Sequence, residues 1–173
     1  MNYSYGLLGQ SNANNYLRNA IIQATGEQCI NSYHGGQFIE SWYVFPTYFL
    51  FDDIAALGID QNCTYDTIIW FQGESNALVP ESWQNYETLL IALLDWFISE
   101  HTQVIIIGTW DNAHPYLAQC MNNLQHQIAI DWGYTFIDSK GLDRVDSVHL
   151  SERGIADLAQ LIRQATTCYP HRN

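Results

Sequence analysis

The chain has 173 residues, of which 47% are hydrophobic and only 14% charged, and this composition excludes a disordered polypeptide. Its 18 acidic residues outnumber the 6 Lys and Arg residues and give a formal net charge of −12, which disfavours nucleic acid and anionic membranes as partners. No apolar run approaches the length of a membrane span, and the N-terminus lacks a signal-peptide pattern. We therefore expect one domain over residues 1–173, cytoplasmic by default.

Short β-rich runs alternate with segments of helical spacing along the whole chain. Gly26 and Gly58 end the first two helical segments, and Ser151 is placed to cap the last one. In chain order the prediction is a strand at 3–8, a helix at 16–24, a strand at 29–33, a helix at 49–57, a strand at 65–71, a helix at 86–97, a strand at 103–109, a helix at 117–128, a strand at 134–138 and a helix at 155–165.

Five strand–helix units in succession predict an α/β fold in which helices cover both faces of a parallel sheet. The usual order of such a five-stranded, flavodoxin-like sheet is 2-1-3-4-5. Ligands then bind beyond the carboxyl ends of the strands, where the order reverses beside the first strand. The loops that follow the strands are therefore the places where we expect a functional site.

A serine stands at the exit of the first predicted strand, in the stretch LLGQSNANN at 7–15. Ser11 is either part of an ordinary strand-to-helix turn or a nucleophile presented for chemistry. The candidate base is His149, and Asp146 three residues earlier could orient its imidazole ring. Of the six histidines, we expect only His149 to combine a nearby carboxylate with a place at the carboxyl end of the sheet. A surface turn is the alternative explanation of this spacing.

Acyl transfer by such a serine also requires hydrogen-bond donors for the developing oxyanion. The candidates are the Ser11 N–H, the backbone of Gly35-Gly36 and the side-chain amide of Gln72. A simple turn at the two glycines and a capping role for Gln72 remain the alternatives.

Four blocks, GQSN (9–12), GGQFIESW (35–42), WFQGESN (70–76) and DSVH (146–149), occur in the order found in SGNH hydrolases. The sequence resembles most closely the sialate O-acetylesterase and acetylxylan esterase group of that superfamily. The resemblance implies a three-layer α/β/α fold and hydrolysis of esters, typically acetyl groups on carbohydrates, without a cofactor. The substrate would be a small-molecule or carbohydrate ester.

The resemblance also implies roles for individual residues. Ser11 matches the nucleophile, Asp146 and His149 match the other triad members, and Gly36 matches the oxyanion glycine of the second block. Gln72 takes the position that is an Asn donor in most SGNH enzymes.

Four further residues are candidates for substrate binding or loop support. Asn12 belongs to the first block, and Glu74 matches a family carboxylate that we expect to brace its loop. The chain departs from many relatives at Asn76, where Asp is common, and at Ala13, where Met is common. Trp110, after the fourth strand, is either a wall for sugar stacking or part of the core.

The cysteines and histidines show no metal-binding pattern. Reduced thiols are the expected state of Cys29, Cys63, Cys120 and Cys168, with a disulfide as the alternative.

Two other functions remain open on the same fold. The first is a lipid esterase or thioesterase, which would favour longer acyl chains. The second is a catalytically silent carbohydrate-binding module, although all the triad positions are occupied by the residues that catalysis requires.

Overall fold

The computed structural model describes residues 2–43 and 64–167, and its centre is a parallel sheet of five strands. The strand order is β2-β1-β3-β4-β5, which confirms the predicted order. In the register of the sheet, Leu7 of the first strand pairs with Asn31 on one side and Ile69 on the other. The strands are β1 (Asn2–Gly9), β2 (Cys29–Tyr33), β3 (Thr64–Phe71), β4 (Gln103–Gly108) and β5 (Thr135–Asp138).

Helices connect these strands, as the alternating sequence pattern predicts. The predicted helix at 49–57 lies outside the described residues, whereas two short helices, at Ile39–Tyr43 and Glu74–Ala77, were not predicted. The helical elements are a 3₁₀ turn (Ser11–Ala13), α1 (Asn15–Thr25), α2 (Ile39–Tyr43), α3 (Glu74–Ala77), a 3₁₀ turn (Pro80–Asn85), α4 (Tyr86–Leu94), α5 (Pro115–Trp132) and α6 (Glu152–Thr167).

The sheet has an apolar core on each face, because neighbouring residues of a strand point to opposite sides. Leu7 packs in the core beneath α1 and α6, whereas Leu8 packs in the core beneath α4 and α5. Leu17 and Leu158 contribute to the first core and Leu90 to the second, all of them with essentially no exposed surface. Burial on both faces explains the nearly continuous apolar runs of β3 and β4.

The first turn of α1 contains an exposed aromatic residue. Leu17 and Ile21 are buried, but Tyr16 is 74% exposed. Asn14 caps the helix by accepting hydrogen bonds from the backbone N–H groups of Tyr16 and Leu17. The helix ends at Gly26 in the left-handed conformation, φ 77°, as the sequence predicts.

None of the helices in the described ranges combines the length and apolar character needed to cross a bilayer. Cys29 and Cys120 are free, and burial raises the pKa of the Cys29 thiol to about 12. The other two cysteines, at positions 63 and 168, lie outside the described residues.

Candidate active site

Ser11 lies immediately beyond the carboxyl end of β1, at the point where the strand order reverses. The chain leaves the sheet through Gly9, where any Cβ would overlap the Phe71 carbonyl of the neighbouring strand. The Gln10 N–H still bonds to that carbonyl at 2.9 Å, and Ser11 then opens the 3₁₀ turn. The serine is therefore anchored to the sheet through the residue before it.

His149 and Asp146 complete a hydrogen-bonded chain that begins at Ser11. The His149 Nε2 lies 2.9 Å from the Ser11 Oγ, and the His149 Nδ1 lies 2.7 Å from the Asp146 Oδ2. The side chains of His149 and Asp146 are about half exposed, with relative exposures of 48% and 52%. Each of the three groups is within the hydrogen-bond reach that proton transfer requires.

Asp146 also shapes the turn that carries the base. Its Oδ1 accepts hydrogen bonds from the His149 N–H at 2.7 Å and the Val148 N–H at 2.8 Å. These bonds, together with the bond to the imidazole ring, lower the pKa of Asp146 to about 2. The carboxylate is therefore ionised at neutral pH and able to hold the histidine tautomer that leaves Nε2 free to accept a proton.

Arg144, which the sequence analysis did not single out, holds the same segment from the other side. Its Nε donates to the Val148 carbonyl at 3.3 Å, and its terminal nitrogens donate to the carbonyls of Leu142 and Ser139 at 2.8 and 3.0 Å. The only indication of this supporting role in the sequence was the position of Arg144, two residues before Asp146.

The two residues that flank Ser11 are buried amides that bind the loop after β3. The Gln10 side chain accepts from the Gly73 N–H at 2.9 Å and donates to the Ser75 Oγ at 2.8 Å. Asn12 donates to Glu74 Oε1 at 3.0 Å. Only 4% of Asn12 and 9% of Glu74 is exposed, so both residues support the loops and offer a substrate little surface.

The glycine turn after β2 lies beside Ser11. A Cβ placed on Gly35 would be 3.8 Å from the Ser11 Cβ, and Gly36 has a left-handed φ of 70°. Both glycines are exposed. No described residue accepts a hydrogen bond from the Gly36 N–H or the Ser11 N–H, which makes both groups candidate donors to a ligand.

The buried and fully hydrogen-bonded side chain of Gln72 favours loop support over the predicted oxyanion role. This side chain has no exposed surface, and its amide hydrogens are donated to the Asn76 Oδ1 at 2.7 Å and the Gln37 carbonyl at 3.1 Å. Its Oε1 accepts from the hydroxyl of Tyr86 at 3.0 Å. Every polar atom of the side chain has a partner inside the protein, so Gln72 supports the loop.

Asn76 is a second buried amide of this loop and does not reach the site surface. Its Oδ1 accepts from the Ile39 N–H at 2.9 Å, and its Nδ2 donates to Ser82 Oγ at 2.9 Å and to Glu40 Oε2 at 3.2 Å. The residue therefore links α2 and α3 to the following 3₁₀ turn. Of the two roles predicted for it, substrate binding and loop support, these contacts favour loop support.

Trp110 belongs to the packed interior and does not form an open wall. Only 7% of the residue is exposed, and the Lys140 ammonium lies 4.5 Å from the centre of the ring. The indole N–H donates to the Asn112 side chain at 2.9 Å. Neither ring face is left as a broad surface for sugar stacking.

A second aspartate–histidine pair corrects the expectation that His149 is unique. The His114 Nδ1 lies 2.7 Å from the Asp111 Oδ2, and the two residues have the same three-residue spacing as the first pair. Although burial acts in the opposite direction, hydrogen bonds from His114 and the Ala113 N–H lower the pKa of Asp111. The Ser11 hydroxyl bonds to the other pair, so His149 remains the candidate base.

Within residues 2–43 and 64–167, no cluster of three or more His, Cys, Asp or Glu side chains is arranged to bind a metal ion.

Comparison with solved structures places the chain among SGNH hydrolase folds. It resembles a candidate SGNH hydrolase from Slackia heliotrinireducens, with a TM-score of 0.75 and 17% identity over 96% of this chain and 100% of that one. An acetylxylan esterase from Geobacillus stearothermophilus matches with a TM-score of 0.65 and 15% identity over 94% of this chain and 93% of that one. A carbohydrate acetylesterase from Sinorhizobium meliloti matches with a TM-score of 0.70 and 9% identity over 95% of this chain and 98% of that one.

Comparison with curated proteins gives no match. The family model of carbohydrate esterase, sialic acid-specific acetylesterase, matches residues 8–168 and therefore nearly the whole chain. The protein belongs to this carbohydrate esterase family and is a carboxylic ester hydrolase with the SGNH hydrolase fold.

Proposed function

We propose that the protein removes O-acetyl groups from a carbohydrate through an acetyl-enzyme formed on Ser11. The observation that carries the proposal is the continuous hydrogen-bonded chain from the Ser11 Oγ through His149 to Asp146. A serine hydroxyl becomes a competent nucleophile when a neighbouring base takes its proton, and His149 is in place to do so.

In the first half-reaction the Ser11 Oγ attacks the ester carbonyl carbon while the His149 Nε2 takes the hydroxyl proton. The tetrahedral intermediate then collapses, and the bond between the carbonyl carbon and the sugar oxygen breaks. His149 returns the proton to that oxygen, so a neutral alcohol leaves and an acetyl group remains on Ser11. The ionised carboxylate of Asp146 stabilises the imidazolium between these two steps.

In the second half-reaction a water molecule takes the place of the sugar alcohol. His149 removes a proton from the water, which attacks the acetyl carbonyl carbon, and the bond to the Ser11 Oγ breaks. The proton passes to Oγ, acetic acid leaves and ionises in water to acetate, and the free enzyme is restored.

The donors that we assign to the oxyanion are the backbone N–H groups of Ser11 and Gly36. Neither has an acceptor among the described residues, and the turn at Gly35-Gly36 lies against Ser11. Backbone donors fixed before the reaction stabilise the transition state without having to reorganise during it.

The proposal is tested by measuring acetate release from O-acetylated sialic acid and acetylated xylo-oligosaccharides, with 4-nitrophenyl acetate as the chromogenic reference. The wild-type protein should act on at least one of the sugar esters, and Ser11→Ala should not. Chromogenic esters of increasing acyl length test the lipid esterase and thioesterase alternative, because a steep fall in rate beyond butyryl excludes it. Sugar binding without ester hydrolysis would identify the silent binding module.

A further inference from the structure

Asn12 lies next to the nucleophile and binds the backbone on both sides of the base. Its Oδ1 accepts from the Leu150 N–H at 3.1 Å, and its Nδ2 donates to the Val148 carbonyl at 3.3 Å. His149 is the residue between these two contacts. One amide in the 3₁₀ turn of Ser11 therefore holds the segment that carries the imidazole.

Glu74 fixes the orientation of this amide. Its Oε1 accepts the second hydrogen bond from the Asn12 Nδ2, at 3.0 Å. Because the Leu150 N–H must meet an oxygen, the Asn12 amide cannot rotate by 180° without losing all three bonds. The contacts of Asn12 with Glu74, Val148 and Leu150 thus specify a single orientation of its amide group.

The burial of the Glu74 carboxyl group costs stability. Its Oε2 is buried and has no hydrogen-bond partner among the described residues. Burial raises the pKa of Glu74, and the hydrogen bond from Asn12 only opposes that effect. A buried oxygen without a partner destabilises a fold, and the bond to Asn12 is the side-chain hydrogen bond that offsets part of this cost.

We propose that Asn12 and Glu74 form a positioning pair that keeps the His149 imidazole at hydrogen-bond distance from the Ser11 hydroxyl. Neither residue touches the reacting atoms, and the inference rests on the proposed function of Ser11 and His149. Misplacing a catalytic group by about 1 Å can cost about 10² in rate, so a loose loop would lower kcat while leaving substrate binding intact.

The chain offers a matched control for Asn12 in Asn122. Both residues are 4% exposed, and Asn122 also donates to a carboxylate, Asp138 Oδ1, at 3.0 Å. Its other contact is the Thr109 carbonyl, so it has no bond to the segment that contains His149. Asn12→Ala and Asn122→Ala should therefore both reduce stability, and only the first should change the chemistry.

The experiment measures kcat and KM on 4-nitrophenyl acetate for wild type, Asn12→Ala, Asn122→Ala, Glu74→Ala and Glu74→Gln. Titration with a fluorophosphonate counts the competent Ser11 sites in each sample, and its rate constant reports the nucleophilicity of that serine per site. We expect Asn12→Ala and Glu74→Ala to lower both rate constants per site by about 10–10², with KM within about twofold. Glu74→Gln should stay near wild type, since its amide oxygen can still accept from Asn12.

Loss of folded protein alone would lower the number of titrated sites but not the rate constant per site. Wild-type rate constants per site in Asn12→Ala and Glu74→Ala would overturn the proposal, and so would a Glu74→Gln variant as slow as Glu74→Ala. Ser11→Ala, measured in parallel, separates the two hypotheses. If it kept activity, the proposed mechanism and the positioning pair would both fail, whereas an inactive Ser11→Ala beside fully active pair variants would overturn only the pair.

Discussion

The imidazole Nε2 of His149 lies 2.9 Å from the Ser11 Oγ, although 138 positions separate the two residues. Ser11 follows β1 and His149 follows β5, and β3 and β4 lie between these strands in the sheet. The segment after β5 must therefore extend across the carboxyl edge to bring His149 to Ser11. A backbone bond of 2.8 Å from the Asn112 N–H to the Ser147 carbonyl ties it to the loop after β4 on the way.

Replacing either member of this pair should abolish esterase activity without unfolding the protein. Ser11→Ala and His149→Ala should each lower kcat on 4-nitrophenyl acetate by roughly 10⁴–10⁶, because the members of a triad act as a unit. Both side chains are at least partly exposed, so circular dichroism and Tm should remain close to wild type.

His114→Ala is the matched control for His149→Ala. The imidazole ring of His114 has the same 2.7 Å contact to an aspartate three residues earlier, but the serine bonds to the other ring. We expect its kcat per folded molecule to stay within about threefold of wild type, since the His114 ring has no bond to Ser11. A loss as large as that of His149→Ala would show that the second pair takes part in the reaction.

Asp146→Asn should preserve the turn and impair the chemistry. The Asn oxygen can still accept from the N–H groups of Val148 and His149, but its NH₂ group would face the His149 Nδ1. That contact favours the tautomer with the proton on Nε2, which cannot accept a proton from Ser11. The comparable change in a serine protease costs about 10⁴ in kcat, and we expect about 10²–10⁴ for this half-exposed pair. Near-wild-type kcat in the folded variant would remove Asp146 from the mechanism.

The acid limb of the pH profile should contain a single ionisation. The pKa of Asp146 is about 2, so its carboxylate is charged over the whole range from pH 4 to 9. Protonation of the histidine base is then the only step in the triad that stops activity as the pH falls. A plot of log kcat/KM against pH should have a limiting slope of one, and a slope of two would contradict this assignment.

The lowered pKa of Asp146 also predicts how this residue affects stability as the pH changes. A folded-state pKa of about 2, below the ordinary 3.8, means that the ionised carboxylate stabilises the fold above pH 4. This contribution is lost as the pH falls from 4 to 2. The Tm difference between wild type and Asp146→Asn should therefore shrink over that interval, which thermal unfolding in a series of buffers would measure. A difference that is constant down to pH 2 would contradict the lowered pKa.

The sheet could be predicted from the sequence because burial on both faces requires long apolar runs, such as those of β3 and β4. The short helices could not, since four or five residues carry no periodic signal. Contacts that are distant in sequence stabilise them instead. The Ile39 N–H at the start of α2 bonds to the Asn76 side chain at 2.9 Å.

The residues of the candidate site that lie together were easier to predict from the sequence than the contacts that support them. Ser11 and His149 could be found because strand ends converge at one edge of a parallel sheet. The role of Gln72 could not be inferred, because spacing does not reveal that both amide hydrogens are donated within the core. Arg144 was missed for the related reason that its bonds to backbone carbonyls depend on how the loop folds.

Replacing Gln72 should damage stability and leave the chemistry of folded molecules nearly unchanged. Gln72→Ala leaves the part-buried Gln37 carbonyl without its donor, and a buried group in that condition costs about 1–3 kcal/mol. For a chain of this size each kcal/mol lowers Tm by about 2–4 °C, so thermal unfolding should show a fall of several degrees. The rate constant per titrated Ser11 site should remain close to wild type.

Gln125→Ala is the matched control for Gln72→Ala, because Gln125 is also an amide with no exposed surface and donates to the Tyr86 hydroxyl at 3.0 Å. If Gln72 only supports its loop, the two variants should share one signature, a lower Tm with a normal rate per site. An oxyanion donor behaves differently, since its removal costs about 10²–10³ in kcat with little change in KM. A fall of that size per titrated site in Gln72→Ala, absent from Gln125→Ala, would return Gln72 to the oxyanion hole. It would also require the amide to leave its bond with Asn76 during the reaction, which the 2.7 Å contact of the resting structure opposes.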